Sequence, residues 1–122
     1  MNIEHLKENG LDIAVVSGDE TIISDVQSAL DLMMTVRYDT GADRIAIDKA
    51  CITEDFFILS TGLAGEILQK FINYRVKAAI WGDYTRYTSK PLRDFIYESN
   101  HGKDFFFKAD RAEAVRRLAE TE

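Results

Sequence analysis

Two hydroxyl side chains followed by a glycine, Ser60, Thr61 and Gly62, form the part of the sequence best suited to carry chemistry. An apolar run ends just before them at Leu59, and apolar residues at helical spacing follow, so we expect Ser60 to be the N-cap of a helix that begins after a strand. The N–H groups at a helix start attract phosphate. The sequence therefore predicts a phosphoacceptor or anion site here, with helix capping alone as the simpler alternative.

Three carboxylates, Asp48, Glu54 and Asp55, lie between an apolar run and this hydroxyl pair. They are candidates for contacts with a partner or ligand, and their oxygens suit a hard cation. Their spacing is not that of an EF-hand, and a solvated acidic loop is the simpler explanation. The only imidazoles are His5 and His101, and no His/Cys cluster has zinc spacing. We therefore expect no metal site and no catalytic residue.

A second candidate site is Asp83, which has the aromatic residues Trp81 and Tyr84 on either side in the sequence. Open α/β sheets often bind ligands at the carboxyl ends of their parallel strands, and an apolar run ends at Trp81. The segment from Trp81 to Tyr87 is therefore predicted to form a partner surface or a cleft for a small anionic ligand. The alternative is a core tryptophan with two half-buried tyrosines.

Bulk composition restricts the class of protein. A chain of 122 residues fits one domain, residues 1–122, and its formal net charge of -6 with scattered basic residues disfavours nucleic acid as a partner. The single cysteine, Cys51, forms no internal disulfide and is typical of a reducing cytosol. The charged first ten residues do not read as a secretory signal, and no apolar run approaches a membrane span. We expect a cytoplasmic protein without a membrane partner.

Local signals predict the first elements of the fold. Asn9 and Gly10 favour a tight hairpin turn between two short strands. Ser24 and Gln27 have the spacing of a capping box and predict the start of the first helix. Gly41 is suited to the left-handed conformation that ends such a helix.

The remaining elements alternate along the chain. Ser89 with Pro91, and Asp110 with Glu113, predict the starts of the last two helices. Buried strands are predicted for three short apolar runs, at residues 44–48, 76–81 and 105–107. The order predicts one layered α/β domain, with a mixed but mostly parallel sheet of about five strands and about four helices.

That order, with a strand ending at Asp48 and the segment from Phe57 to Leu63, resembles the STAS domain, the fold of bacterial anti-sigma-factor antagonists. The resemblance covers nearly the whole chain. It implies that Thr61 accepts phosphate from a partner kinase and that Ser60 is its neighbour, although Leu59 stands where STAS domains have an aspartate. As a whole, the chain also looks like a bacterial family of unknown function, DUF4180. The resemblance is strongest in three segments: 23–30, 55–57 and 71–74.

These observations predict a cytoplasmic, STAS-like module that binds another protein through the surface around Ser60, Thr61 and the helix that follows. Phosphorylation there would regulate binding. A sensor for a small anionic ligand that uses the cleft near Trp81 to Tyr87 is the alternative, and a weak enzyme with an acidic residue as base is a third. Gly62 and Gly65 are too close for a dinucleotide fingerprint, so no cofactor is expected. A homodimer is compatible with each hypothesis.

Overall fold

Five strands and four helices follow one another in the order that the sequence predicts. The computed structural model describes residues 1–122. Its elements are β1 (Asn2–Glu8), β2 (Leu11–Ser17), α1 (Val26–Thr40), β3 (Arg44–Asp48), α2 (Leu63–Asn73), β4 (Lys77–Trp81), α3 (Lys90–Asn100), β5 (Phe105–Lys108) and α4 (Arg111–Glu120). The predicted α/β class is confirmed.

The sheet keeps its strands in chain order, β1-β2-β3-β4-β5. β1 pairs antiparallel with β2, and every other pair is parallel. Each step from β2 to β5 moves the chain in the same direction across the sheet. Because parallel crossovers are right-handed, the three connecting helices α1, α2 and α3 lie on one face. α4, which follows the last strand, covers the opposite face.

Two apolar clusters occupy the two faces of the sheet. The larger cluster joins α1, α2 and α3 to alternate strand residues such as Val16, Ile45 and Ile80. The smaller cluster joins α4 to strand residues of the other parity, such as Ala46 and Phe106. Both faces of the central strands are therefore buried, which is why those strands read as continuous apolar runs. None of the helices combines the length and apolar character needed to cross a bilayer.

Several predicted turns and helix ends are confirmed. Asn9 and Gly10 both have positive φ, at 53° and 77°, as a tight hairpin requires. Gly41 ends α1 in the left-handed conformation at φ 74°, and its N–H donates to the carbonyl of Arg37. The Ser89 side chain caps α3 by accepting from a backbone N–H. Short-range signals therefore suffice at these positions.

The predicted capping box of α1 is wrong by one residue. Asp25, in an extended conformation, is the N-cap, and its carboxylate accepts from the N–H of Ser28 at 2.8 Å. The Ser28 hydroxyl oxygen accepts in turn from the N–H of Asp25 at 3.0 Å. Ser24 and Gln27 do not form the pair, because the chain turns into the helix one residue later than their spacing implies.

Replacing the two candidate caps separately tests this assignment. Asp25→Ala should lower the free energy of unfolding by about 1 kcal/mol, because the N–H of Ser28 loses its acceptor. Ser24→Ala, as the matched control, should change it by less than about 0.5 kcal/mol. Urea denaturation of both variants measures the difference. Equal losses would contradict the assignment of Asp25 as the cap.

Candidate functional site

Three short 3-10 turns connect β3 to α2, over the loop that the sequence predicted from Lys49 to Leu59, and no strand directly precedes Ser60. They span Lys49–Cys51, Glu54–Phe57 and Leu59–Thr61, and we call this stretch the 49–61 segment. Asp48 starts it by accepting from the N–H of Ala50 at 3.0 Å. The backbone of Ile23 bonds to Cys51 and Thr53 at 2.9 Å each. The segment is therefore tied to the body of the domain at its beginning.

Two buried phenylalanines anchor the middle of the 49–61 segment. The ring of Phe56 lies 6.2 Å from that of Phe105 and 6.3 Å from that of Phe107, both on β5. Phe57 stacks on Tyr87 with ring centroids 5.2 Å apart. Burial of two large rings fixes the backbone that follows them. The rigid stretch after them carries the predicted hydroxyl pair.

The predicted role of Ser60 as the N-cap of α2 is wrong. Gly62, with φ 78°, occupies that position, and Ser60 and Thr61 lie in the third 3-10 turn. The Thr61 hydroxyl lies 3.0 Å from the carbonyl oxygen of Asp55 and 2.9 Å from that of Ile58, and it accepts from the N–H of Leu63 at 3.2 Å. The extra turn separates Ser60 from α2, so Thr61 performs the local capping.

Ser60 differs from Thr61 because its exposed hydroxyl makes no hydrogen bond within the protein. Ile58, two residues earlier, is 50% exposed, so an apolar side chain lies on the surface beside this hydroxyl. A Cβ atom added at Gly62 would meet no other atom within 4 Å, so the surface there is open. We call this exposed surface, residues 58–62, the Ser60 platform.

The three predicted carboxylates have different surroundings. Asp48 holds the first 3-10 turn and lies beside Trp81 in the β3–β4 register. Asp55 is exposed and supplies only its backbone carbonyl to Thr61. Glu54 contacts Lys49 and two residues of the loop after β4. They do not converge, and no group of three or more metal-ligating side chains is present.

Glu54 joins the 49–61 segment to the loop after β4. Its carboxylate accepts from the Tyr87 hydroxyl at 2.8 Å and from Lys49 Nζ at 3.1 Å, and it also pairs with Arg86. Partial desolvation raises the pKa of Glu54, but the bonds from Tyr87 and Lys49 and the nearby positive charges outweigh it, so the net pKa is lowered. A carboxylate with a lowered pKa is a poor base at neutral pH.

Lys49 also packs against the aromatic pair of this region. Its Nζ atom lies 4.7 Å from the centroid of Phe57 and 5.0 Å from that of Tyr87. A Cβ atom at Gly82 would lie only 2.6 Å from Lys49 Cβ, so only glycine allows this approach. No signal in the sequence indicated Lys49 or Arg86. Arg86 lies 32 positions from Glu54, and Lys49, five positions away, reaches Glu54 only because the 3-10 turns fold the segment back.

The predicted aromatic cleft is divided between two faces of the sheet. Trp81 packs against the smaller cluster on the α4 face. Tyr84 packs against the larger cluster, and its hydroxyl donates to the carbonyl of Ile80 at 2.7 Å. Burial raises the pKa of Tyr84. Asp83 is exposed and accepts two bonds from Thr85. Trp81 and Tyr84 therefore do not share one pocket, because Trp81, the last residue of β4, faces α4, whereas the loop after it brings Tyr84 to the opposite face.

Most of the chain, residues 8–118, matches the family model of a domain of unknown function, DUF4180. The chain belongs to that family. No curated protein and no solved structure matches the chain. The matched range includes the whole 49–61 segment and the loop after β4 of this DUF4180 domain. The family assignment therefore covers the candidate site and leaves its chemistry to be argued from geometry.

Cys51, the only cysteine of the chain, is placed where its thiol is not reactive. It is fully buried, and its Sγ atom lies 3.7 Å from the carbonyl oxygen of Gly18. Burial, with a smaller effect of the negative charge of Asp48, raises the pKa of the Cys51 thiol. A thiol with a raised pKa forms little of the reactive thiolate. What the DUF4180 domain offers at this site is a fixed and exposed surface.

Proposed function

We propose that this DUF4180 domain is a cytoplasmic protein-interaction module that binds another protein through the Ser60 platform. One observation carries the proposal: Ile58 is half exposed, at 50%, beside the unbonded hydroxyl of Ser60 and directly after the buried rings of Phe56 and Phe57. An apolar side chain held on a fixed surface gains free energy when a partner covers it. Little ordering entropy opposes binding, because the backbone is fixed beforehand.

Phosphorylation of Ser60 is the form of regulation that suits this surface. A phosphate would add about -1.5 to -2 charge next to Ile58 and would prevent an apolar contact there. The resemblance to STAS domains favours Thr61 as the acceptor. The geometry favours Ser60, because the Thr61 hydroxyl is held by backbone groups and the Ser60 hydroxyl is not.

The proposal is binding and not catalysis. Its support is the separation of the three carboxylates, the lowered pKa of Glu54 and the use of Asp48 as a cap. Neither histidine lies near Ser60: His5 bonds to Asp12 at 2.8 Å, and His101 bonds to the carbonyl oxygen of Tyr97 at 2.8 Å. A Ser60 nucleophile would therefore lack a base.

Affinity capture from the native host tests the proposal. The tagged wild-type domain should retain one protein in a stoichiometric amount. Ile58→Asp and Ser60→Glu should each reduce the recovery of that protein at least tenfold, because both place a negative charge in the contact. Ile72→Asp is the matched control, since Ile72 is also exposed, at 41%, but lies on α2. Mass spectrometry quantifies the recovered protein.

Two results would count against the interaction module. Equal recovery with wild type, Ile58→Asp and Ser60→Glu would show that the Ser60 platform is not the binding surface. Loss with Ile72→Asp as well would show a general effect of added charge. Phosphopeptide mapping of the same samples tests the regulation separately, and we expect phosphate on Ser60.

A further inference from the structure

A groove of about 840 Å³ lies beside α3, at a distance from the Ser60 platform along the chain and lined by none of its residues. Its walls come from the loop after β4, from one side of α3, and from Ala109 after β5. Cavities of this size hold small organic molecules. The groove includes part of the segment that the sequence analysis singled out, but not Trp81.

The topology of the sheet explains why a groove occurs here. The connection after β4 leads to α3 on one face, and the connection after β5 leads to α4 on the opposite face. The two connections diverge and leave a gap between the carboxyl ends of β4 and β5. Such divergence points are the usual ligand sites of open α/β sheets. All other parallel connections of this sheet stay on one face.

Two opposite charges line the groove, and neither is neutralised by an ion pair. Arg93 is exposed on α3, where the one ion pair joins Lys90 to Asp94. Asp83 accepts from the N–H and the hydroxyl of Thr85, at 2.8 and 2.6 Å, through one of its two oxygens. The groove therefore presents an unpaired guanidinium and a free carboxylate oxygen.

The α3 side of the groove beyond Arg93 is largely apolar. Ile96 and Tyr97 lie on α3 between Arg93 and Asn100, and Tyr97 is 66% exposed. Asn100 closes the far end: its side-chain oxygen accepts from the N–H of Phe107 at 2.7 Å, which leaves its amide nitrogen free to donate. One stripe of α3 thus combines a cation, an apolar centre and a further donor.

We propose that this groove binds a zwitterion with an apolar body, the chemistry of a free aromatic or aliphatic α-amino acid. Arg93 would bind the carboxylate, Asp83 the ammonium group, and Ile96 with Tyr97 the apolar side chain. A simple anion fits less well, because Asp83 would repel it. A neutral ligand would leave both charges without a partner when it displaced water.

Titration of the ¹⁵N-labelled domain with L-phenylalanine tests the proposal. Amide signals of groove residues such as Thr85, Arg93, Tyr97 and Ala109 should shift, and those of the Ser60 platform should not. Two analogues remove one charge each: 3-phenylpropionate lacks the ammonium group, and 2-phenylethylamine lacks the carboxylate. Each should bind at least tenfold more weakly than L-phenylalanine.

Substitutions connect each charge of the probe to one residue. Arg93→Gln should weaken L-phenylalanine and 3-phenylpropionate at least tenfold and leave 2-phenylethylamine unchanged. Asp83→Asn keeps an oxygen for Thr85 and should weaken L-phenylalanine and 2-phenylethylamine instead. Lys70→Gln, which removes a positive charge on α2 outside the groove, is the matched control and should bind like wild type.

Three results would overturn the inference. The first is the absence of groove shifts at millimolar L-phenylalanine. The second is binding of 3-phenylpropionate as tight as that of L-phenylalanine, which would leave Asp83 without a role. The third is an equal loss with Lys70→Gln, which would mean that general charge and not Arg93 governs binding.

Discussion

Replacing Phe56 with alanine should lower the free energy of unfolding by about 3–5 kcal/mol. The ring is 1% exposed and packs against Phe57, with centroids 5.0 Å apart, and against two phenylalanines of β5. Truncation would leave a cavity under the 49–61 segment, which rigid neighbours on the sheet cannot fill. Urea denaturation followed by far-ultraviolet circular dichroism measures the loss.

An exposed aromatic residue provides the control for Phe56. Tyr38 is 91% exposed on α1, so Tyr38→Ala should change the free energy of unfolding by less than about 0.5 kcal/mol. A loss below about 1.5 kcal/mol for Phe56→Ala would mean that the 49–61 segment is not part of the cooperative core. In that case the backbone of the Ser60 platform would not be fixed, as the proposed function requires.

Arg44→Met should lower the free energy of unfolding by about 2 kcal/mol and loosen the last turn of α4. Arg44 is 8% exposed at the start of β3, and its Nη1 atom donates to the carbonyl oxygens of Leu118 and Thr121. Carbonyls at the end of a helix have no partner within it and carry partial negative charge. Methionine fills similar space but leaves both carbonyls without a donor.

Arg37 offers a matched control, because it also donates to a backbone carbonyl oxygen but is exposed to solvent. Its Nη2 atom donates to the carbonyl oxygen of Tyr74 at 3.0 Å, and its side chain is exposed. Arg37→Met should therefore cost less than about 0.5 kcal/mol. Amide hydrogen exchange should increase in the last turn of α4 for Arg44→Met only. Unchanged protection there would refute the role of Arg44 in holding the helix end.

The Ser60 platform and the groove beside α3 belong to separate proposals, but one set of side chains joins their supports. Glu54 lies in the 49–61 segment, and its partners Arg86 and Tyr87 lie in the loop that lines the groove. Glu54 therefore links the two regions by direct hydrogen bonds. The experiments above keep the two proposals distinct, because one measures a protein partner and the other a small probe.

Much of the fold was predictable because its signals are local. A hairpin turn needs positive φ at two adjacent residues, and Asn9 with Gly10 adopts it at low cost. Apolar runs of four to six residues marked the central strands, since both of their faces are buried. The errors were also local: the cap of α1 is Asp25 in place of Ser24, and α2 begins after Gly62.

For the candidate site, the sequence predicted which kinds of residue take part but not how they are arranged. The sequence indicated the hydroxyl pair, but only the structure distinguishes the held hydroxyl of Thr61 from the unbonded one of Ser60. It indicated Trp81 and Tyr84 together, and the structure places them on opposite faces. The sequence did not distinguish Arg93 from the other scattered basic residues, because only the structure shows that it lines the groove without an ion pair.

The sequence by itself determined the order of elements and the class of the domain, because helix and strand periodicities and turn residues act over a few positions. The tertiary structure alone decided which distant side chains come together: Glu54 bonds to Arg86, and Asp83 and Arg93 line the same groove. The proximity of these side chains depends on the direction in which each connecting segment leaves the sheet. That direction is set by the handedness of crossovers and by packing on both faces, which no short segment encodes.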